Sequence, residues 1–160
     1  MPTKKLKEFL DQNKVKYVTI THSTAYTAQE IASLTHIKGK ELAKTVIVRI
    51  DGALAMAVIP ASLHVDLDLL RAASGARAVE LATEQEFKDK FPDCETGAMP
   101  PFGNLYGMEV YADPSLGEHE EITFNAGTHR ELMRMAWADV VRLGDPKVVN
   151  ITHRPAAAAA

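Results

Sequence analysis

The chain has 160 residues, of which 46% are apolar and 24% charged, a composition that indicates a folded globular protein and not a disordered or fibrous one. No window approaches the roughly 18 uncharged apolar residues of a membrane-spanning helix, and the N-terminus lacks the apolar segment and cleavage site of a secretory signal. The formal net charge of −3 argues against an extended nucleic-acid footprint, because phosphate contacts favour basic proteins. The single cysteine cannot form an internal disulfide, which agrees with a cytoplasmic location.

The first half of the chain predicts helices at both ends of a short strand, followed by a hairpin. In chain order the elements are a helix over 3–14, a strand over 17–20, a helix over 27–34, and strands over 43–50 and 53–59. Thr27 followed by Glu30 is the capping-box pattern that opens a helix. Asp51-Gly52 separates two apolar runs and is the dipeptide expected of a tight hairpin.

The second half of the chain alternates helices, strands and one long loop. In chain order we predict a helix over 65–73, a strand over 77–81, a helix from 83 to about 91, a loop over 94–104, strands over 105–111, 121–125 and 131–135, and a helix over 138–143. Gly75 is a helix terminator, and Thr83 with Glu86 repeats the capping box. The loop holds two glycines and two prolines in eleven positions, a composition that excludes regular structure.

Strands occur both as a hairpin and between helices, so we predict a mixed α/β fold with a mixed sheet. No linker or internal repeat divides the sequence, which predicts one domain over 1–153. The remaining residues, 154–160, form an alanine-rich segment that we expect to be a frayed tail.

Common catalytic motifs are absent from the sequence. It has no phosphate-binding glycine loop, no H-E-x-x-H and no G-x-S-x-G. The six histidines are scattered without ligand spacing, so no metal site is predicted; they are His22, His36, His64, His119, His129 and His153. Cys94 lies between Asp93 and Glu95, whose charges raise a thiol pKa, and we interpret it as an inert thiol.

Two features could carry chemistry. Lys44 stands at the start of an apolar strand, where a lysine either extends its ammonium group to solvent or points into a cleft. Lys38 and Lys40 could join it in a local basic patch that contacts one end of a nucleic acid, although such clusters are more often a solvated face. The loop from Gly97 to Pro101 is either a structural crossover or a rigid loop that presents backbone N–H groups to an oxyanion or carbonyl.

Three segments, in this order and spacing, carry a resemblance to a known family. They are AKTVIV at 43–48, the Gly97-x-x-x-Pro101 loop with its following Phe-Gly, and FNAGTH at 124–129. The chain resembles the YbaK/prolyl-tRNA-synthetase-associated editing-domain family over roughly residues 20–145. The resemblance implies a barrel-like mixed β-sheet surrounded by helices. It also implies hydrolysis of the ester between a wrong amino acid and the terminal adenosine of a tRNA, commonly a tRNA for proline.

The resemblance also implies roles for residues. Lys44 and Gly97 are expected to be catalytic, facing each other across the site, and the loop as far as Pro101 would line the aminoacyl pocket. The lysine would supply positive charge to the terminal phosphate or ester. Loop N–H groups would hold the carbonyl, and the 2′-hydroxyl of the substrate would orient or deprotonate a positioned water. His129, in a predicted turn, either lines the pocket, contacts the tRNA end or is simply solvated. The predicted pocket walls are Tyr26, Ile47 and Met99, residue types that also occur in plain cores.

The resemblance implies no cofactor. The expected partners are the acceptor end of an aminoacyl-tRNA and, through the family, a prolyl-tRNA synthetase; neither DNA nor a membrane is expected. Two departures concern amino-acid specificity: Thr45 stands where some members have Asn, and Pro100-Pro101 replaces a single proline after a small polar residue. The alternatives are a non-catalytic module that binds tRNA or a synthetase, and a hydrolase of small esters or thioesters.

Overall fold

In the computed structural model, residues 4–24, 30 and 41–152 are described. Their strands form one eight-stranded mixed sheet. The strands are β1 (Tyr17–Thr21), β2 (Leu42–Ile50), β3 (Ala53–Pro60), β4 (Val79–Leu81), β5 (Glu109–Ala112), β6 (Glu121–Asn125), β7 (Glu131–Ala136) and β8 (Lys147–Val148). The order across the sheet is β1-β7-β6-β2-β3-β5-β8, and β4 pairs with the far half of β2. The predicted mixed α/β class is confirmed.

Four α-helices flank the sheet in the described part of the chain. They are α1 (Lys4–Gln12), α2 (Leu67–Ser74), α3 (Glu84–Phe87) and α4 (Trp137–Gly144). Gly75 ends α2 with a left-handed φ of 71°, as predicted. The carboxylate of Glu86 accepts a hydrogen bond from the Thr83 N–H at 2.9 Å, and the capping box that predicted α3 is present. No helix among these residues has the length and apolar content needed to cross a membrane.

The β2–β3 hairpin is the element that the sequence predicted best. Asp51 and Gly52 both have positive φ, 50° and 87°, which is the turn whose twist matches two antiparallel strands. Each strand is one residue longer than predicted, and the register is continuous from Ala43 opposite Pro60 to Ile50 opposite Ala53. This hairpin is the centre of the sheet.

Several predicted boundaries were wrong. The strand predicted over 105–111 begins at Glu109, because a 3-10 turn (Gly103–Leu105) and Gly107 with φ 70° precede it. The helix predicted from 83 to about 91 is α-helical only to Phe87 and continues as the 3-10 helix Lys88–Lys90. Strand β8 and the 3-10 helix Pro114–Glu118 were not predicted. The predicted helix 27–34, apart from Glu30, and the tail 154–160 lie outside the described residues.

The two faces of the sheet bury different clusters. One face carries the main core, which includes Phe102 and Phe124. The opposite face carries a cluster around Ile59 beneath α2 and a smaller one around Leu132. We call this second surface the Lys44 face; on β2, β6 and β7 it carries Leu42, Lys44, Thr123, Asn125, Leu132 and Arg134, as pairing and strand alternation require.

Candidate active site

Lys44 lies on β2 between the two apolar clusters of the Lys44 face. Its partner on β3 is Ile59, which belongs to the cluster beneath α2, and Leu42, two residues earlier, belongs to the Leu132 cluster. This half-burial lowers the pKa of Lys44, because the charged form loses water. Among the described residues, no hydrogen bond or ion pair engages its ammonium group. Lys44 is therefore a partly desolvated cation without a protein counterion in that part of the chain.

Asn125, at the end of β6, is a polar neighbour of Lys44 on this face. Strand β6 runs parallel to β2 with Ala43 beside Phe124, which places Asn125 next to Lys44. The Oδ1 atom of Asn125 is buried and has no hydrogen-bond partner among the residues that the structure describes. A buried acceptor without a partner costs free energy, so the site holds an acceptor that a bound ligand could satisfy.

A second acceptor of this kind is His22, directly after β1. Its Nδ1 lies 2.6 Å from the carbonyl of Ser23, and because a carbonyl only accepts, Nδ1 must donate. In the tautomer that carries the proton on Nδ1, Nε2 is an acceptor, and it is buried without a hydrogen-bond partner in the described part of the chain. Asn125 was not predicted as a site residue. The only sequence signal was that Asn125 lies within the FNAGTH segment.

The Gly97 loop is attached to the turn that follows β6. The N–H of Glu95 donates to the Gly127 carbonyl at 2.7 Å, and the Gly127 N–H donates to the Ala98 carbonyl at 2.9 Å. Strand β6 runs beside β2, so the turn that follows β6 comes close to the part of the sheet where Lys44 lies. Among the described residues, no hydrogen bond or ion pair joins Lys44 directly to the loop, so β6 is the element that relates the two features.

His129 packs beneath the loop. The residue is 7% exposed, and its Nε2 lies 2.7 Å from the Thr96 carbonyl, to which it must donate. Gly97 has a φ of +88°, and a Cβ there would meet His129 Cε1 at 3.5 Å. The structure thus places His129 against Gly97 in a position that fixes the loop; of the three roles considered, simple solvation does not fit this burial.

The loop has fewer available N–H groups than its glycine and proline content suggested. Those of Glu95 and Ala98 are already used in backbone hydrogen bonds. The Gly97 N–H points at the Sδ of Met99, 3.2 Å away. A thioether is a weak acceptor, so a carbonyl oxygen can replace it at little cost. Gly97 is exposed, so its N–H is accessible to a ligand.

The other predicted site residues that the structure describes, apart from His129 and Gly97, are buried. Ile47 and Met99 are 4% exposed and belong to the main core; Ile47 is three residues from Lys44 on a regular strand and therefore on its opposite face. Pro101 is buried, and its carbonyl lies near Gly144 of α4. Tyr26 lies outside the described residues, as do Lys38 and Lys40.

Cys94 has the environment of an unreactive thiol. Burial, with the neighbouring Asp93 charge, raises its pKa to about 11, and its Sγ lies 3.3 Å from the hydroxyl of Tyr106. The thiolate that nucleophilic chemistry needs is therefore scarce at neutral pH. Within the ranges that the structure describes, no group of three or more His, Cys, Asp or Glu side chains is arranged to hold a metal ion.

Comparison with known proteins identifies the family. The aminoacyl-tRNA editing domain matches residues 22–143. The multifunctional Ser/Thr-tRNA deacylase ProXp-y of Escherichia coli K12 is 27% identical over 146 residues, which span 88% of this chain and 87% of that protein. A proline–tRNA ligase of Bacillus mycoides KBAB4 is 26% identical over 85 residues, or 53% of this chain and 15% of the ligase.

Solved structures share the fold. The hypothetical protein APE2540 superposes with a TM-score of 0.84 at 19% identity, over 94% of this chain and 100% of that one. A proposed trans-editing enzyme for prolyl tRNA synthetase superposes with a TM-score of 0.79 at 20% identity, over 94% and 96% of the two chains. The family match covers most of the sequence and confirms the predicted aminoacyl-tRNA deacylase class. This chain belongs to the aminoacyl-tRNA editing-domain family.

Proposed function

We propose that the chain hydrolyses the ester of a mischarged aminoacyl-tRNA in trans, at a site formed by Lys44, Asn125 and the Gly97 loop. The observation that carries this assignment is the state of Lys44: a half-buried cation, without a partner among the described residues, beside a buried acceptor that also lacks one. Uncompensated polar groups of this kind are costly in a folded protein, and a substrate that pairs with both explains why they are kept.

Lys44 acts through its charge. Burial has already removed part of the water from the ammonium group, so a phosphate or developing oxyanion competes with less hydration than it would at an exposed lysine. The terminal nucleotide supplies such a phosphate, and the ester carbonyl becomes negative as water adds to it. A positive charge fixed in advance stabilises that transition state without rearranging during the reaction.

The Gly97 N–H is the second group proposed to act on the reacting ester. It would exchange the Met99 sulfur for the ester oxygen, which accepts more strongly as it gains charge. Loss of one such donor reduces hydrolysis by about 10²–10³-fold in other enzymes. His129 keeps this N–H in place through its bond to the Thr96 carbonyl, and it is a positioning residue. Pro101 and Met99 support the loop from the core side.

Hydrolysis by this site needs no nucleophile from the protein. An aminoacyl ester is an activated substrate, so a positioned water together with the substrate's 2′-hydroxyl can supply the attacking oxygen and its base. The inert state of Cys94 is compatible with this route. We propose a tRNA of the proline class as substrate, a prolyl-tRNA synthetase as a further partner and a cytoplasmic location. The name of the E. coli relative makes serine and threonine the first amino acids to test.

The test is a panel of purified tRNAs for proline, serine and threonine, each charged in turn with those of alanine, cysteine, serine and threonine that are not its own amino acid. We expect the wild-type protein to release one or two of these amino acids faster than buffer alone, and to leave correctly charged prolyl-tRNA intact. The proposal is wrong if every ester in the panel decays at the spontaneous rate. Binding of uncharged tRNA without hydrolysis would instead indicate the non-catalytic module.

A further inference from the structure

The Lys44 face carries a second cation without a carboxylate partner, Arg134 on β7. Its cross-strand neighbours are Thr123 on β6 and Val18 on β1, and Val18 is 52% exposed. Within the described part of the chain, the Arg134 guanidinium makes no hydrogen bond or ion pair. Three other arginines, Arg49, Arg71 and Arg142, each bind a carboxylate.

Strand register fixes where Arg134 lies relative to Lys44. One row across the face runs from Leu42 through Thr123 to Arg134, and Lys44 with Asn125 begins the next row. Arg134 is therefore two strands and two residues from Lys44, a separation of about 12 Å from the usual sheet spacings. At a rise of about 3.4 Å per stacked nucleotide this corresponds to between three and four nucleotides.

The positive surface ends one row beyond Arg134. There Glu121 lies opposite Ala136, and a groove of about 500 Å³ is lined by three acidic and three basic side chains; these are Glu120, Glu121, Asp139, Lys14, Lys16 and Arg142. A phosphate chain gains little from a groove of balanced charge. Among the described residues, Lys44 and Arg134 are thus cations of the Lys44 face that no carboxylate compensates.

We propose that Arg134 binds a backbone phosphate of the tRNA acceptor strand, three to four nucleotides before the aminoacylated adenosine, where the single-stranded end joins the acceptor stem. This inference rests on the proposed function, because Lys44 must receive the terminal nucleotide. The guanidinium matches a phosphate with two parallel hydrogen bonds, and the exposed Val18 beside it leaves room for the strand. The contact carries no base identity, so Arg134 contributes affinity for any tRNA.

The test compares two aminoacyl substrates: a minihelix with the acceptor stem and its single-stranded end, and the trinucleotide CCA. For Arg134→Ala we expect KM for the minihelix to rise about tenfold, with kcat unchanged. The slope of the logarithm of minihelix affinity against the logarithm of salt concentration should become less steep by about one. Its kcat/KM on the trinucleotide should equal that of the wild type, because CCA does not reach Arg134. Equal losses on both substrates, or no loss on the minihelix, would overturn the proposal.

Arg77→Ala is the matched control. Arg77 is exposed and has no ion pair among the described residues, and it lies at the far end of β2, about 20 Å from Lys44 along the strand. The variant should behave as wild type on both substrates. Fluorescence anisotropy of a labelled minihelix without an amino acid separates this proposal from the proposed function. A loss of affinity in Arg134→Ala alone supports the phosphate contact even if no ester is hydrolysed. Equal affinity of the wild type, Arg134→Ala and Arg77→Ala contradicts it.

Discussion

Gly97→Ala separates a catalytic role of the loop from a structural one. Gly97 has a φ of +88°, and the new Cβ would lie 3.5 Å from His129 Cε1, an ordinary contact distance. The steric cost is therefore small, and the main cost is backbone strain of about 1–2 kcal/mol for a non-glycine residue at positive φ. In a protein of this size that corresponds to a fall in Tm of roughly 2–8 °C.

Gly75→Ala is the control for that strain. Gly75 also has positive φ, at 71°, and nothing lies within 4 Å of its Cβ position, so its stability loss should be similar. Only Gly97→Ala should lose activity, because a shift of about 1 Å in the donor can cost about 10²-fold. Thermal melts and single-turnover deacylation measure the two effects. Wild-type rates for Gly97→Ala, or equal losses in both variants, would refute the role of the Gly97 N–H.

Three further predictions concern the support of the site. His129→Ala should lose most deacylase activity and His129→Gln should recover part of it, because the amide can still donate to the Thr96 carbonyl; no recovery in single-turnover assays would contradict positioning. Met99→Leu should cost under about 1.5 kcal/mol in a denaturant titration and leave the amino-acid preference unchanged, whereas a changed preference would make Met99 a pocket wall. Asp113→Asn should lower the free energy of unfolding by about 2–3 kcal/mol, because this buried carboxylate accepts hydrogen bonds from Ser115, Ile151 and Thr152. Burial opposes ionisation, but those bonds hold the pKa of Asp113 below its ordinary value. Its contribution to stability is therefore present above that ordinary value and is lost as pH falls through the folded pKa, and the acid unfolding curve of Asp113→Asn should lack it.

Local signals in the sequence predicted the elements that depend on local chemistry. Asp51-Gly52 specifies a hairpin turn, the Thr83 capping box specifies the start of a helix, and Gly75 specifies the end of one. Each does so with atoms of neighbouring residues in the sequence. The prediction of a strand over 105–111 was wrong at its start. The apolar residues there fit a strand as well as a turn, but Gly103 and Gly107 impose a turn before Glu109. Composition alone did not distinguish these two outcomes.

The site was predictable only in part, because it depends on pairing between distant strands. Lys44 and Gly97 were found through the family motifs, whereas the place of Asn125 beside Lys44 follows from the parallel pairing of β2 with β6. Ile47 was predicted as a pocket wall, yet strand alternation puts its side chain on the face of the sheet opposite Lys44. The sequence did not indicate a role for Arg134, because its position relative to Lys44 depends on the pairing of three strands, β2, β6 and β7.

The most direct test of the central claim is the deacylation rate of Lys44→Ala on the best substrate of the mischarged panel. Burial lowers the pKa of Lys44, so its charge does not stabilise the fold, and Lys44→Ala should still fold, which a thermal melt checks. Lys7→Ala, an exposed lysine on α1, is the matched control. We predict a loss of at least about 10²-fold for Lys44→Ala and none for Lys7→Ala; a folded Lys44→Ala protein with the wild-type rate would contradict the account.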